Sequence, residues 1–442
     1  MAALALAACA QANGAGAPAQ VAGVDGAGVT AFVGVNVLPM DAERVLEGHT
    51  VLVRDGRIEA VGPAAEVAVP AGATRIDGAG RWLIPGLAEM HAHVPGAQAS
   101  EAAMEELMFL YVANGVTTIR GMLGAPNQLA LRDRLARGEL LGPTLYVGAP
   151  SLNGNSAPDA ATAERLVRAH REAGYDFLKL HPGLSRAAYD AIVRTAREVG
   201  TTWAGHVSEA VGIDHTLATR QSTIDHLDGY LPAAGDPERL RALVAATVEA
   251  GTWNVPTMYL WESFLSSDGP ERWMALPEMR YVSPQQRAGW ENQKRGVMAQ
   301  QADVTEEARA REVRQRRELL KALSDVGARI LMGTDSPQLF NVPGFALHRE
   351  LRVMADAGMS PYRVLESGTR NVALYAAEDL GLDGSFGTVA PGMRADLVLL
   401  TADPLADVGN VARRAGVMVA GRWIPEEEIQ RRLAGIAARH GA

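Results

Sequence analysis

Between residues 83 and 335 short apolar runs alternate with longer amphipathic ones, and few architectures accept that order. The predicted strands are 87–93, 115–121, 143–149, 175–181, 202–206, 222–226, 252–257 and 329–335. Stretches such as EAAMEELMFLYVANG, AERLVRAHREAG and SRAAYDAIVRTAREVG separate them, each helical in period and each ending at a glycine, as a capped helix does. Eight strands with intervening helices predict an α/β fold, a (β/α)8 barrel of the TIM type over 83–382, whose site lies at the C-terminal strand ends. A chain of 442 residues exceeds one ordinary core, and the remainder reads as strands and turns. TAFVGVNVL, HTVLVRDGRIEAVG and ATRIDGAGRWLI stand in front, with SFGTVAPGMRADLVLLTAD and VMVAGRWI behind. Asp55-Gly56 between apolar runs is a hairpin signal. The two flanks, 29–82 and 383–430, predict one small β-sandwich domain built from both chain ends.

Residues 259–312, opening YLWESFLSSDGPERWM, break the alternation and predict a lid-like insertion between strands seven and eight. The net charge of −9 leaves no basic stripe to neutralise phosphates, so a nucleic-acid partner is not expected. No run reaches the roughly 20 apolar residues of a membrane span. The single cysteine, Cys9, excludes an intramolecular disulfide. Its context, LALAACAQ, resembles a bacterial lipoprotein signal box without the positively charged start. Residues 1–28 are therefore expected to be a signal-like or disordered stretch outside the fold. An exported, periplasmic protein with a lipid anchor at Cys9 is the first expectation and a cytoplasmic one the second.

The polar residues at the strand ends carry the chemistry. His91 and His93 sit two apart in LIPGLAEMHAHVPG, so a strand presents both on one face. Lys179 lies in YDFLKLH, His206 in WAGHV, His226 in STIDHLDG and Asp335 in ILMGTDSP. A lone strand-end histidine is usually structural, but six such groups on one rim predict a metal centre. His181 faces the same side as Lys179, and with Tyr230 and Tyr259 is a candidate substrate contact. His348 reads as structural, and His49, His170, His215 and His440 receive no role.

The order H-x-H, Lys, His, His, Asp resembles the amidohydrolase superfamily, in its binuclear-metal branch. GRIEAVG, GVTTIRGM, LHRELRVMADAGMSP, GTRNVALY and GTVAPGMRADLVLL agree with it, from about residue 30 to 425. The branch includes imidazolonepropionase-like proteins, metallo Xaa-Pro dipeptidases and ochratoxin-hydrolysing amidohydrolases. One departure is Gly121, where relatives often carry aspartate. The resemblance implies two divalent ions, Zn²⁺ first among them. His91, His93 and Asp335 would hold one and His206 and His226 the other, with a carbamate formed from CO2 on Lys179 between them. Such ions bring the pKa of bound water from about 15.7 to about 7, and Asp335 would carry the proton as the catalytic residue. The expected reaction is hydrolysis of an amide in a carboxylate-bearing small molecule: an N-acyl or N-aroyl amino acid, a dipeptide, or an ochratoxin-like amide. The alternatives are a hydrolase or deaminase of a cyclic amide or imidazolone-type ring, a lactonase, and a catalytically silent scaffold, which would be expected to lack ligands. A homo-oligomer is expected.

Overall fold

The computed structural model describes residues 28–441; the signal-like reading and the anchor at Cys9 lie outside them. Both flanks of the chain meet in one eight-stranded sheet. Its strands are β1 (Val29–Val37), β2 (Leu46–Arg54), β3 (Arg57–Pro63), β4 (Thr74–Asp77) and β5 (Trp82–Pro85), joined later by β13 (Leu397–Leu400), β14 (Arg414–Val419) and β15 (Arg422–Pro425). The order is β15-β14-β13-β5-β1-β2-β3, with β4 also on β1. Antiparallel pairing of Val398 with Ile84 and Leu399 with Leu83 stitches the two ends together. Phe32, Val51, Leu83, Leu397, Leu399 and Met418 form one buried cluster there. Burying each such side chain is worth about 1.5–3 kcal/mol.

The middle is mixed α/β. Its strands are β6 (Leu87–Ala92), β7 (Val116–Gly121), β8 (Thr144–Val147), β9 (Leu178–Leu180), β10 (Trp203–Gly205), β11 (Thr223–Asp225) and β12 (Trp253–Val255). Two parallel sheets result, β6-β7-β8 and β9-β10-β11-β12. Between these sheets, parallel bridges Gly148–Phe177 and Asn254–Ile330 join the third predicted segment to the fourth and the seventh to the eighth, and Ala92–Ser336 sets the residue after the eighth beside the first. The eighth, 329–335, forms no regular strand. Part of the reason is that the buried carboxylate of Glu89 takes its amides: Glu89 Oε1 accepts from Thr334 N at 2.8 Å, replacing a ladder partner.

The helices are α1 (Glu101–Ala113), α2 (Pro126–Ala136), α3 (Ala160–Glu172), α4 (Arg186–Val199), α5 (Ile213–Ala218), α6 (Pro237–Ala250), α7 (Met258–Leu265), α8 (Pro270–Met274), α9 (Pro284–Gln300), α10 (Glu306–Asp325), α11 (Phe345–Asp356), α12 (Pro361–Ser367), α13 (Arg370–Glu378) and α14 (Glu426–Arg439). In α4 the reasons are local. Ser185 caps the start by accepting from Ala188 N, and Gly200 ends it in the left-handed region at φ 64°. Tyr189, Ile192, Val193 and Ala196 make the buried stripe at spacings of three and four. Among the described residues no helix is long and apolar enough to cross a membrane.

Candidate metal centre

The strands are shorter than their apolar runs because the chain turns away where the polar residues begin. His206 is the first residue past β10, His226 the first past β11, and His181 the first past β9. His226 and Asp335 take φ of 63° and 62°, a region non-glycine residues seldom enter except at functional turns. Gly205, next to His206, has φ 125°, and a Cβ there would lie 2.4 Å from Leu180 O and 3.1 Å from Lys179 Cδ. Only glycine permits β10 to pass so close to β9.

Of the sequence-predicted ligands, His91, His93, His226 and Asp335 lie within mutual reach, and the His206 ring stands beside His226. One ligand atom from each of His91, His226 and Asp335 lies within 4.8 Å of the others. His93 Nε2 is 2.6 Å from Asp335 Oδ1, and His91 Nε2 is 3.6 Å from it. His226 Nε2 lies 3.8 Å from Asp335 Oδ2. The imidazole rings form a row, His91 to His226 at 4.6 Å, His226 to His206 at 4.7 Å and His206 to His181 at 4.9 Å. The tightest trio therefore crosses the expected division of ligands between two ions.

Burial keeps these imidazoles neutral: His91 well below its ordinary value, His206 near 3, His226 near 4 and His181 near 3. Burial raises the Asp335 carboxyl, yet His91, His93 and His226 outweigh it and hold the group ionised. Asp335 Oδ1, His91 Nδ1 and Lys179 Nζ are buried without an aligned hydrogen-bond partner. Imidazole nitrogens and a carboxylate crowded in one buried cluster are the ligand types a divalent cation takes, so the residues fit the expected ions. Lys179 is fully buried in β9, 3.7 Å from Asp225 Oδ2, and burial lowers its pKa.

Sequence reasoning missed the groups that hold the ligands. Asp225, beside His226 in STIDHLDG, lies 3.0 Å from His91 Nδ1. It is paired with Arg120 of GVTTIRGM, whose Nη2 donates to Asp225 Oδ1 at 3.3 Å while Nε donates to Met90 O at 2.7 Å. Both side chains are fully buried. Burial pushes Asp225 up, but Arg120, His91 and Lys179 together keep it well below the usual carboxylate range. Asp228 Oδ2 sits 2.8 Å from His206 Nδ1, Thr257 Oγ1 2.8 Å from His226 Nδ1, and Ser151 Oγ 2.7 Å from His181 Nδ1. These contacts fix ring orientation, as outer partners of metal-binding histidines do. An acidic residue inside an apolar strand was the available signal for Asp225; the others lie distant in sequence.

Two candidate substrate contacts, Tyr230 and Tyr259, are not among the residues lining the cavity beside the ligands. Tyr230 is fully buried and its hydroxyl meets Thr247 of α6 at 2.7 Å, so it faces the helix layer. Tyr259 lines a separate surface cleft with Glu262, Arg272 and Arg349; its backbone N–H donates to Glu350. The cavity beside the ligands, about 190 Å³, is walled by His206, His226, Asp335, Gln338 and Leu339 together with Leu260, Trp261, Phe264 and Gln293. The last four come from the 259–312 insertion, so it overhangs the cluster. Gln338 Nε2 donates to Asp335 Oδ2 at 2.7 Å.

The Amidohydrolase family profile matches residues 82–424. The chain belongs to the Amidohydrolase family. Its similarities within that superfamily are broad. The adenine deaminase of Chelativorans sp. (strain BNC1) is 25% identical over 389 residues, 83% of this chain and 53% of that protein; the chain thus spans about half the length of that relative. Among solved structures, the bottromycin amidohydrolase aligns with TM-score 0.71 at 23% identity, over 93% of this chain and 91% of its own. The A. niger ochratoxinase aligns with TM-score 0.66 at 18% identity, over 90% and 95%. These two likenesses establish shared fold.

Proposed function

We propose that this amidohydrolase cleaves the C–N bond of a small amide with two divalent ions held by His91, His93, Lys179, His206, His226 and Asp335, Zn²⁺ first among candidates. The observation that supports the reading is the buried cluster of His91, His226 and Asp335, one ligand atom of each within 4.8 Å of the others, with neutral imidazoles around an ionised carboxylate. The closed circuit of parallel contacts is read as the (β/α)8 barrel at 83–382, and the sheet of both chain ends as the accessory domain. When bound, the ions would acidify a water and polarise the carbonyl. Asp335 takes the proton of the attacking water and returns it to the leaving nitrogen, oriented by the Gln338 amide. Asp228 and Thr257 hold His206 and His226 by their outer nitrogens. Lys179, buried without an acceptor, suits the expected carbamate. The insertion keeps bulk water from the reacting groups.

The second reading is deamination or hydrolysis of a ring amide, favoured by the similarity to an adenine deaminase. Export, lipid anchoring at Cys9 and assembly as a homo-oligomer stand as proposals with it. The test is a mass-spectrometric screen of zinc-loaded protein against N-acyl amino acids, dipeptides, aryl amides, lactones, imidazolones and adenine, beside Asp335→Asn. Amide cleavage that disappears in the variant is the expected result. Turnover of rings alone transfers the assignment to the second reading.

A further inference from the structure

Beyond the ligands, the cavity is walled by Leu260, Trp261, Phe264 and Leu339, with the amides of Gln293 and Gln338 as its polar points. No lysine or arginine is among these lining residues. The guanidinium behind the wall is committed elsewhere. Arg316 stacks 3.7 Å over the Trp261 ring, donates to Glu312 Oε1 at 2.9 Å and to His226 O at 2.9 Å, and is 4% exposed. A carboxylate pushed against this wall would lose its water and find no cationic side chain to pair with, which is costly. Apolar and aromatic surface, in contrast, gains by leaving water there.

Trp261 adds a directional feature. Its ring is held between Arg316 and Phe264, whose ring centroid lies 5.5 Å away at 67°. Its indole N–H is buried with no acceptor among the described residues.

We infer that the insertion makes this site select an uncharged amide bearing an aromatic or branched apolar group, received by Trp261, Phe264 and Leu339. The inference rests on the amide-hydrolase reading and departs from the carboxylate-bearing substrate expected from sequence. The substrate end remote from the scissile bond carries no free acid.

Isothermal calorimetry on zinc-loaded full-length protein tests it with two matched probes, N-benzylbenzamide (uncharged) and N-benzoyl-L-phenylalanine (acidic). The wild type should bind the uncharged probe at least tenfold tighter. Trp261→Ala should weaken that binding tenfold or more, and Trp261→Phe, which keeps an aromatic face, by less. Leu339→Ala lies outside the insertion and keeps the test readable should the Trp261 variants unfold; a loss of threefold or more is expected. Equal or tighter binding of the acid, binding of neither probe, or unchanged affinity in both Trp261→Ala and Leu339→Ala would overturn the inference. Hydrolysis is followed alongside. Selective binding with no amide turned over removes the reaction and leaves the pocket assignment; turnover without selectivity does the reverse.

Discussion

Asp225 and His226 are adjacent in sequence and differ in task. His226 offers a ring nitrogen to the cluster, whereas Asp225 turns inward to meet Arg120, His91 and Lys179. Removing one member of a buried ion pair strands the other, at about 3–5 kcal/mol. Arg120→Met should therefore lower stability by that amount in denaturant melts and reduce metal content as well, because His91 loses its oriented partner. A melt within 1 kcal/mol of wild type, the margin of a surface pair, would contradict the pairing. The imidazoles also dictate a pH response. His91, His181, His206, His226 and His348 are all pushed down by burial, the last to about 3. The unfolded chain takes up protons on these groups near 6.5 while the folded chain does not, so folded stability is full above that pH and is lost as pH falls toward 4. Glu89 and Glu350, raised to about 8 by burial, and Asp379, raised to about 6, act in the opposite sense, but the five imidazoles outweigh them. Denaturant midpoints of chelator-treated protein should fall between pH 6.5 and 5; a flat profile there would refute this balance.

At the scale of elements, the wall of the cavity is set by two anchors. Glu350 of α11 caps α7, its oxygens accepting from Met258 N at 2.8 Å and Tyr259 N at 2.7 Å. Lys294 of α9, fully buried, donates to Ser263 O at 2.9 Å and Ser266 O at 2.6 Å at the far end of α7. Lys294→Met should leave both carbonyls unpaired and destabilise by about 1–3 kcal/mol, with KM rising more than kcat falls, since Gln293 and α7 shift together; a kcat loss with unchanged KM would exclude that role. The helices between the parallel strands were legible because caps and apolar spacing are local signals, as Ser185 and Gly200 of α4 illustrate. The eighth segment was legible as an apolar run but not as an irregular one, because the group that takes the Thr334 amide, Glu89, is 245 residues away. The strand-end positions of His181, His206 and His226 could be read for a similar reason in reverse: each follows a short apolar run whatever the tertiary detail. Tyr230 and Tyr259 could not, since proximity in sequence to a ligand does not fix which layer a ring packs against.

The whole molecule depends on the seam between its two ends. β13 pairs with β5, and β14 and β15 follow outward, so a chain stopped before residue 395 would leave Leu83 and Ile84, both buried, on a bare edge. Such a truncation should lose the cooperative melt and aggregate; a soluble, metal-loaded product with a wild-type transition would show the seam to be dispensable. The alternating middle and β-rich flanks were visible in the residues, whereas the single sheet they make is a long-range pairing that no local pattern specifies. The overhang has a different consequence. Its contribution to the cavity wall comes from one uninterrupted stretch, α7 to α9, while the ligands are spread from His91 to Asp335 on other segments. Reaction and preference are thus inherited on separate pieces of chain, and a graft of 258–300 between relatives of this fold would transplant a diet while leaving the digestive chemistry in place.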